Sequence, residues 1–162
     1  MAGMRKAFAA VALMTAAVPA FAQGLLGKPA PQHASVAPSA SVASVAPGGK
    51  LTLWAEVTPF PAIHIYAAGA KDFTPVSLVV TPMAHVRTGK PVYPKADGDA
   101  PGDLEPVPAY KQPFRIAVPV TIAGTAPRGP ITISGAVNYQ ACDDRLCYPA
   151  SSAPVTWHVA VR

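Results

Sequence analysis

The chain has 162 residues, a formal net charge of +5, 20 prolines, 12 glycines and two cysteines, Cys142 and Cys147. That length suits one domain with a core of its own. Losing Arg5 and Lys6 with a leader lowers the charge to +3, and the other basic residues (Lys71, Arg87, Lys90, Lys95, Lys111, Arg115 and Arg128 among them) are scattered, which argues against nucleic-acid binding.

Residues 1–22 read as an export signal. Arg5 and Lys6 give the positive start, Ala7 to Val18 is a short apolar run, and Ala20-Phe21-Ala22 is a small-x-small cleavage site before Gln23. The apolar run is shorter than the ~20 residues that span a bilayer. A retained amino-terminal anchor is the competing reading. Export would place the chain where disulfides form and persist.

Residues 23–49 are rich in Ala, Ser, Pro and Val, with the near-repeat Ala34-Ser35-Val36-Ala37-Pro38 and Ala43-Ser44-Val45-Ala46-Pro47. Few large side chains and no clear period predict a flexible tether. The folded domain is expected over 50–162.

From Lys50 the pattern becomes that of strands. Leu51, Leu53, Ala55 and Val57 alternate with Thr52, Trp54 and Glu56. Ile63-His64-Ile65-Tyr66 and Val76-Ser77-Leu78-Val79-Val80 are further short runs. Phe114, Ile116, Val118, Val120 and Ile122 alternate through a strand whose Pro119 implies an edge or a bulge. Ile131 to Cys142 and Val155 to Val161 follow. The acidic stretch Lys95 to Glu105 is predicted as a long loop. Short strands, turns rich in Pro and Gly, and no helical period predict an all-β fold, an immunoglobulin-like β-sandwich. Tyr148 and Trp157 are expected to pack in it, and His33, His85 and His158 to lie on the surface.

Tyr139-Gln140-Ala141-Cys142-Asp143-Asp144-Arg145-Leu146-Cys147-Tyr148-Pro149 holds both cysteines around a polar four-residue loop. Such a loop suits a hairpin. Flanking residues would then face each other about 4.5–5.5 Å apart at Cα, within reach of a disulfide. Two readings stay open at this point. As a staple, so short a loop is worth only about 2 kcal/mol. As a redox pair, the cysteines would cycle between dithiol and disulfide. The alternation from Ile131 puts Cys142 on the face of Thr132, Ser134, Asn138 and Gln140, where a partner would reach it. A single bulge would reverse that face.

These residues are similar to a known family. Ile63-His64-Ile65-Tyr66, Val92-Tyr93-Pro94-Lys95, Phe114-Arg115-Ile116-Ala117-Val118, Tyr139-Gln140-Ala141-Cys142 and Leu146-Cys147-Tyr148-Pro149 occur in the order found in the amino-terminal periplasmic domain of the thiol:disulfide interchange protein DsbD. The resemblance covers about Lys50 to Arg162. It implies an immunoglobulin-like fold and a periplasmic protein-disulfide reductase in which Cys142 and Cys147 exchange electrons with thioredoxin-fold proteins. It implies no small-molecule cofactor. His64 and Tyr66 would lie near the pair, and Tyr139 and Gln140 lead into it. The family shields its disulfide with an aromatic of a cap loop. The stretch ending near Leu104 has no matching aromatic, and Tyr93 is the candidate substitute. The chain ends at Arg162 without the membrane segment that supplies electrons in the family, so the expected donor is a membrane protein acting in trans.

Two other readings compete. Cys142, Cys147 and His64 would make three metal ligands, but without a second paired histidine no metal is expected. A non-catalytic binding module with a structural hairpin disulfide is the alternative to exchange.

Overall fold

The computed structural model describes residues 31–71, 73–101 and 105–162. The leader 1–22 and the first part of the expected tether lie outside the described residues. Among the described residues all regular structure is β-strand. In chain order the strands are β1 (Ala34–Ala40), β2 (Ser44–Val45), β3 (Lys50–Pro59), β4 (His64–Tyr66), β5 (Ser77–Val80) and β6 (Val86–Thr88). They continue with β7 (Gly98–Ala100), β8 (Val107–Tyr110), β9 (Phe114–Ile122), β10 (Gly129–Tyr139), β11 (Ala141–Cys142) and β12 (Ser151–Val161).

Two four-stranded sheets make an immunoglobulin-like sandwich. One runs β1-β3-β9-β6 and the other β2-β12-β10-β5. Alternation decides which side chains meet between them. Leu51, Leu53, Ala55 and Val57 of β3 face inward with Ile116, Val118, Val120 and Ile122 of β9. They pack against Ile133 and Val137 of β10 and Val155, Trp157 and Val159 of β12. Trp157 donates its ring N–H to the Trp54 carbonyl at 2.8 Å, so the largest core side chain also satisfies its polar atom.

A third sheet, β11-β4-β8-β7, closes one end. It is reached from both layers. β3 continues into β4 through the turn Phe60-Pro61-Ala62-Ile63, and β10 continues into β11 after a break at Gln140.

Two expectations need correction, and the choice left open at Pro119 is decided. The tether does not extend to Gly49, because Ala34–Ala40 pairs with β3 from Pro59 to Leu53 and Ser44–Val45 lies parallel to Ala160–Val161. Small side chains hid the pattern: Ala34 and Val45 are buried, and Val36 packs against the core. Pro38 is tolerated because β1 is an edge.

Pro119 does not mark an edge, since β9 lies between β3 and β6. Thr88 pairs with Val120, and Val92 pairs again at Ala117. The intervening chain bulges outward, and Gly89 N–H donates to the Pro119 carbonyl at 2.7 Å. Proline's missing donor therefore faces a gap in the ladder.

The acidic stretch is not wholly a loop. Gly98–Ala100 pairs with β8, and Asp97 caps the turn by accepting from the Lys111 and Gln112 amides, both at 2.9 Å.

Candidate functional site

The hairpin is built by Asp143. Its Oδ1 accepts from the Arg145 amide at 2.7 Å and the Leu146 amide at 2.9 Å, and its own amide donates to the Leu146 carbonyl. An aspartate that caps amides two and three residues ahead is a local turn-former. Oδ2 accepts from the Tyr148 hydroxyl at 2.7 Å. The Tyr148 hydrogen bond, then the two amides, hold the Asp143 carboxyl below its ordinary value. The same bond pushes the Tyr148 hydroxyl up.

That turn sets Cys142 opposite Cys147, and the two are joined by a disulfide with Cα atoms 4.0 Å apart. Their surroundings differ. Cys142 is 1% exposed, whereas Cys147 is exposed at the hairpin rim. The face expected for Cys142 is half right. It is turned away from the sandwich core, but β11 pairs with β4 instead of continuing β10, and the third sheet covers it with Tyr66, Ala100 and Ala109. Of the pair, Cys147 is the exposed residue.

A cleft of about 290 Å³ lies beside the bond, lined by His64, Tyr66, Phe73, Pro101, the two cysteines and the residues of the turn. In the β11–β4 register Cys142 faces His64 and Ala141 faces Ile65. His64 is 5% exposed, and its Nε2 is buried with no hydrogen-bond partner among the described residues. Burial, then the Lys111 ammonium, holds the imidazole below its ordinary value, with Asp144 and Asp143 pulling the other way. His64 meets Tyr66 edge-on, with centroids 5.5 Å apart. Tyr66 donates to the Pro101 carbonyl at 3.0 Å and stacks on Phe73 at 4.0 Å.

Of the residues singled out from the sequence, Cys142, Cys147, His64 and Tyr66 share this cleft. Gln140 stands just outside it. Its amide group donates to the Tyr148 carbonyl at 3.3 Å and accepts from the Thr74 amide at 3.2 Å, tying the loop that carries Phe73 to the hairpin. Tyr139 is in the main core, and its hydroxyl donates to Gln32 Oε1 at 3.0 Å. Tyr93 is not beside the disulfide: its hydroxyl accepts from the Leu78 amide at 3.1 Å on the free side of β5. Phe73, whose ring lines the cleft beside those of His64 and Tyr66, is the residue that sequence reasoning missed. Its only signal was a lone large apolar residue in a loop, three residues before Val76.

Residues 32–156 match the family described as thiol:disulfide interchange protein DsbD, N-terminal. The chain belongs to that family. Two solved structures are similar to this DsbD-type domain. The DsbD n-terminal domain of Neisseria meningitidis in the reduced form aligns with a TM-score of 0.46 and 15% identity, over 68% of this chain and 82% of that one. The N-terminal periplasmic domain of ScsB from Proteus mirabilis aligns with a TM-score of 0.40 and 11% identity, over 81% of this chain and 47% of that one. The chain thus spans about half of that ScsB chain. No curated protein matches its sequence. Membership makes the domain a thiol:disulfide interchange component. Among the described residues no group of three His, Cys, Asp or Glu side chains is arranged to hold a metal ion.

Proposed function

We propose that the domain carries electrons in the periplasm as a protein-disulfide reductase, with Cys147 meeting the partner and Cys142 resolving the intermediate. The observation that carries the reading is the unequal burial of the two cysteines, Cys142 at 1% exposed and Cys147 exposed at the hairpin rim. A staple gains nothing from such asymmetry, whereas exchange needs one sulfur reachable and one held back. Attack proceeds from a thiolate through a mixed disulfide. Cys147 thiolate attacks a partner disulfide, forming a Cys147–partner bond and releasing one partner thiolate. Cys142 then attacks Cys147 Sγ, closing the internal disulfide and releasing the second partner thiolate. The dithiol is oxidised, and the partner gains two electrons.

The partner of this reading is a thioredoxin-fold protein with an exposed disulfide, and the donor that restores the dithiol is a membrane protein acting in trans. Leu146, 52% exposed beside Cys147, gives the partner an apolar contact. The leader-like sequence supports the compartment.

The test is the reduction potential of the Cys142–Cys147 pair. Protein equilibrated in graded thiol buffers is alkylated and its free thiols counted by mass. A potential above about −300 mV, together with dithiol-dependent reduction of a thioredoxin-fold disulfide, is the expected result. A lower potential without exchange leaves a binding module pinned by a structural bond.

A further inference from the structure

We infer that His64 Nε2 accepts the Cys142 thiol proton as Cys142 attacks the mixed disulfide on Cys147. The inference rests on the exchange function proposed above and supplies the group that handles its second proton.

Cys147 is exposed and loses its proton to water. Cys142 is 1% exposed and packs with Tyr66, Ala100 and Ala109, so water is a poor acceptor for it. His64 is its cross-strand partner. Directly opposite residues hold their Cβ atoms about 4.5–5.5 Å apart on one face, which places an imidazole within reach of a cysteine sulfur. Both residues line the same cleft.

The state of Nε2 gives the second argument. A buried ring nitrogen without a partner is uncommon in a folded protein, because leaving it unsatisfied costs free energy. With the ring proton on Nδ1, Nε2 carries a lone pair. Reduction of the disulfide creates an S–H donor across the strand from that lone pair. The orphaned atom of the oxidised protein thus gains a partner in the reduced one.

Every other group facing the histidine is a poorer acceptor. Asp143 has Oδ1 on the Arg145 and Leu146 amides and Oδ2 on the Tyr148 hydroxyl. Asp144 is exposed, and Lys111, the cation acting on His64, is a donor. The Tyr66 hydroxyl donates to the Pro101 carbonyl. Burial and Lys111 keep the imidazole neutral at neutral pH, while Asp143 and Asp144 favour the imidazolium formed in passing.

The step balances. The Cys142–Cys147 bond forms and the Cys147–partner bond breaks. The partner sulfur leaves as thiolate with the electron pair, and the proton moves from Cys142 Sγ to His64 Nε2 and on to solvent. No further reductant or oxidant is needed.

Oxidised glutathione serves as the probe. The reduced full chain is mixed with it, quenched with acid, and the collapse of glutathionylated Cys147 to the internal disulfide is followed by mass across pH. The wild-type rate is expected to be nearly flat from about pH 7 to the free-thiol range near 8.5. His64→Phe should slow collapse by about tenfold at pH 7, with a rate that climbs toward wild type as pH rises and the thiol ionises unaided. His64→Gln keeps a hydrogen-bonding side chain but takes no proton. It should fold and form the disulfide while retaining the climbing profile. Parallel pH profiles in wild type and His64→Gln overturn the role of His64 and leave exchange standing. A wild-type mixed disulfide that never collapses removes the exchange function, and the role of His64 with it.

Discussion

His33 stacks on Tyr148 with ring centroids 3.8 Å apart, so the segment ahead of the first strand lies on the residue that follows Cys147. Two more contacts hold it there. The His33 amide donates to the Tyr139 hydroxyl at 3.3 Å, and Gln32 Nε2 donates to the Ser152 carbonyl at 3.4 Å. A stretch expected to be a tether is part of the wall behind the hairpin.

His33→Ala removes a stacked pair of rings. A loss of about 0.5–1.5 kcal/mol is expected, read as a lower urea midpoint at unchanged slope. Tyr139→Phe, which drops the hydroxyl shared by Gln32 and His33, should cost about 1 kcal/mol and make residues 31–40 more sensitive to protease. An unchanged cleavage pattern in both variants would show that the segment is held by its strand pairing alone.

Asp143 predicts a pH dependence of the hairpin. Its folded carboxyl titrates below the ordinary value, so its support for the turn is complete above that value. The support is lost as pH falls toward the depressed folded value. In the oxidised protein the Arg145 and Leu146 amide resonances should hold steady down to the ordinary aspartate range and move together below it. Asp143→Ala should abolish that common titration.

Burial sets the reactivity of the two cysteines apart. With Cys142→Ser the remaining Cys147 should be alkylated rapidly and should trap a partner as a stable mixed disulfide. With Cys147→Ser the remaining Cys142 should react at least about tenfold more slowly and trap nothing, as expected for a thiol in apolar surroundings. Equal alkylation rates would remove the asymmetry on which the proposed roles depend.

The turn that delivers His64 is strained at one residue. Ile63 N–H donates to the Phe60 carbonyl at 3.0 Å, with Pro61 and Ala62 between them, and Ala62 has φ 63°. A positive φ at the third position of a turn, directly after a proline, is the pattern of a type II turn, which favours glycine. Ala62→Gly is expected to stabilise the domain by about 0.5–1 kcal/mol, read as a rise in denaturation midpoint. Destabilisation would mean that the lost methyl group contributes more than the strain costs.

The strands legible in the sequence were those whose large side chains alternate. Leu51 to Val57 and Phe114 to Ile122 announce their inward faces because every second residue is bulky and apolar. β1 was hidden because Ala34, Val36 and Ala40 do the same task with small side chains, and β7 because three residues are too few to carry a period. At the site, the cysteine pair and its turn were plain from spacing and from the charged loop. The burial of Cys142 was not, since it follows from a change of sheet at Gln140 that alternation within β10 does not anticipate. Phe73 was missed for a related reason: it reaches the cleft through a stack on Tyr66, a contact made across the fold and absent from any local pattern.

The change of sheet at Gln140 separates two duties. Residues up to Tyr139 lock into the sandwich, Ala141–Cys142 belongs to a small end sheet shared with β4, β7 and β8, and the chain returns to the sandwich in β12. On the exchange function proposed above, a hairpin hung on that annexe opens and closes its sulfur bond while the core of the sandwich stays shut. On that reading the sandwich is a rigid handle and the end sheet a working tip, its small cluster around Cys142 set apart from the main core.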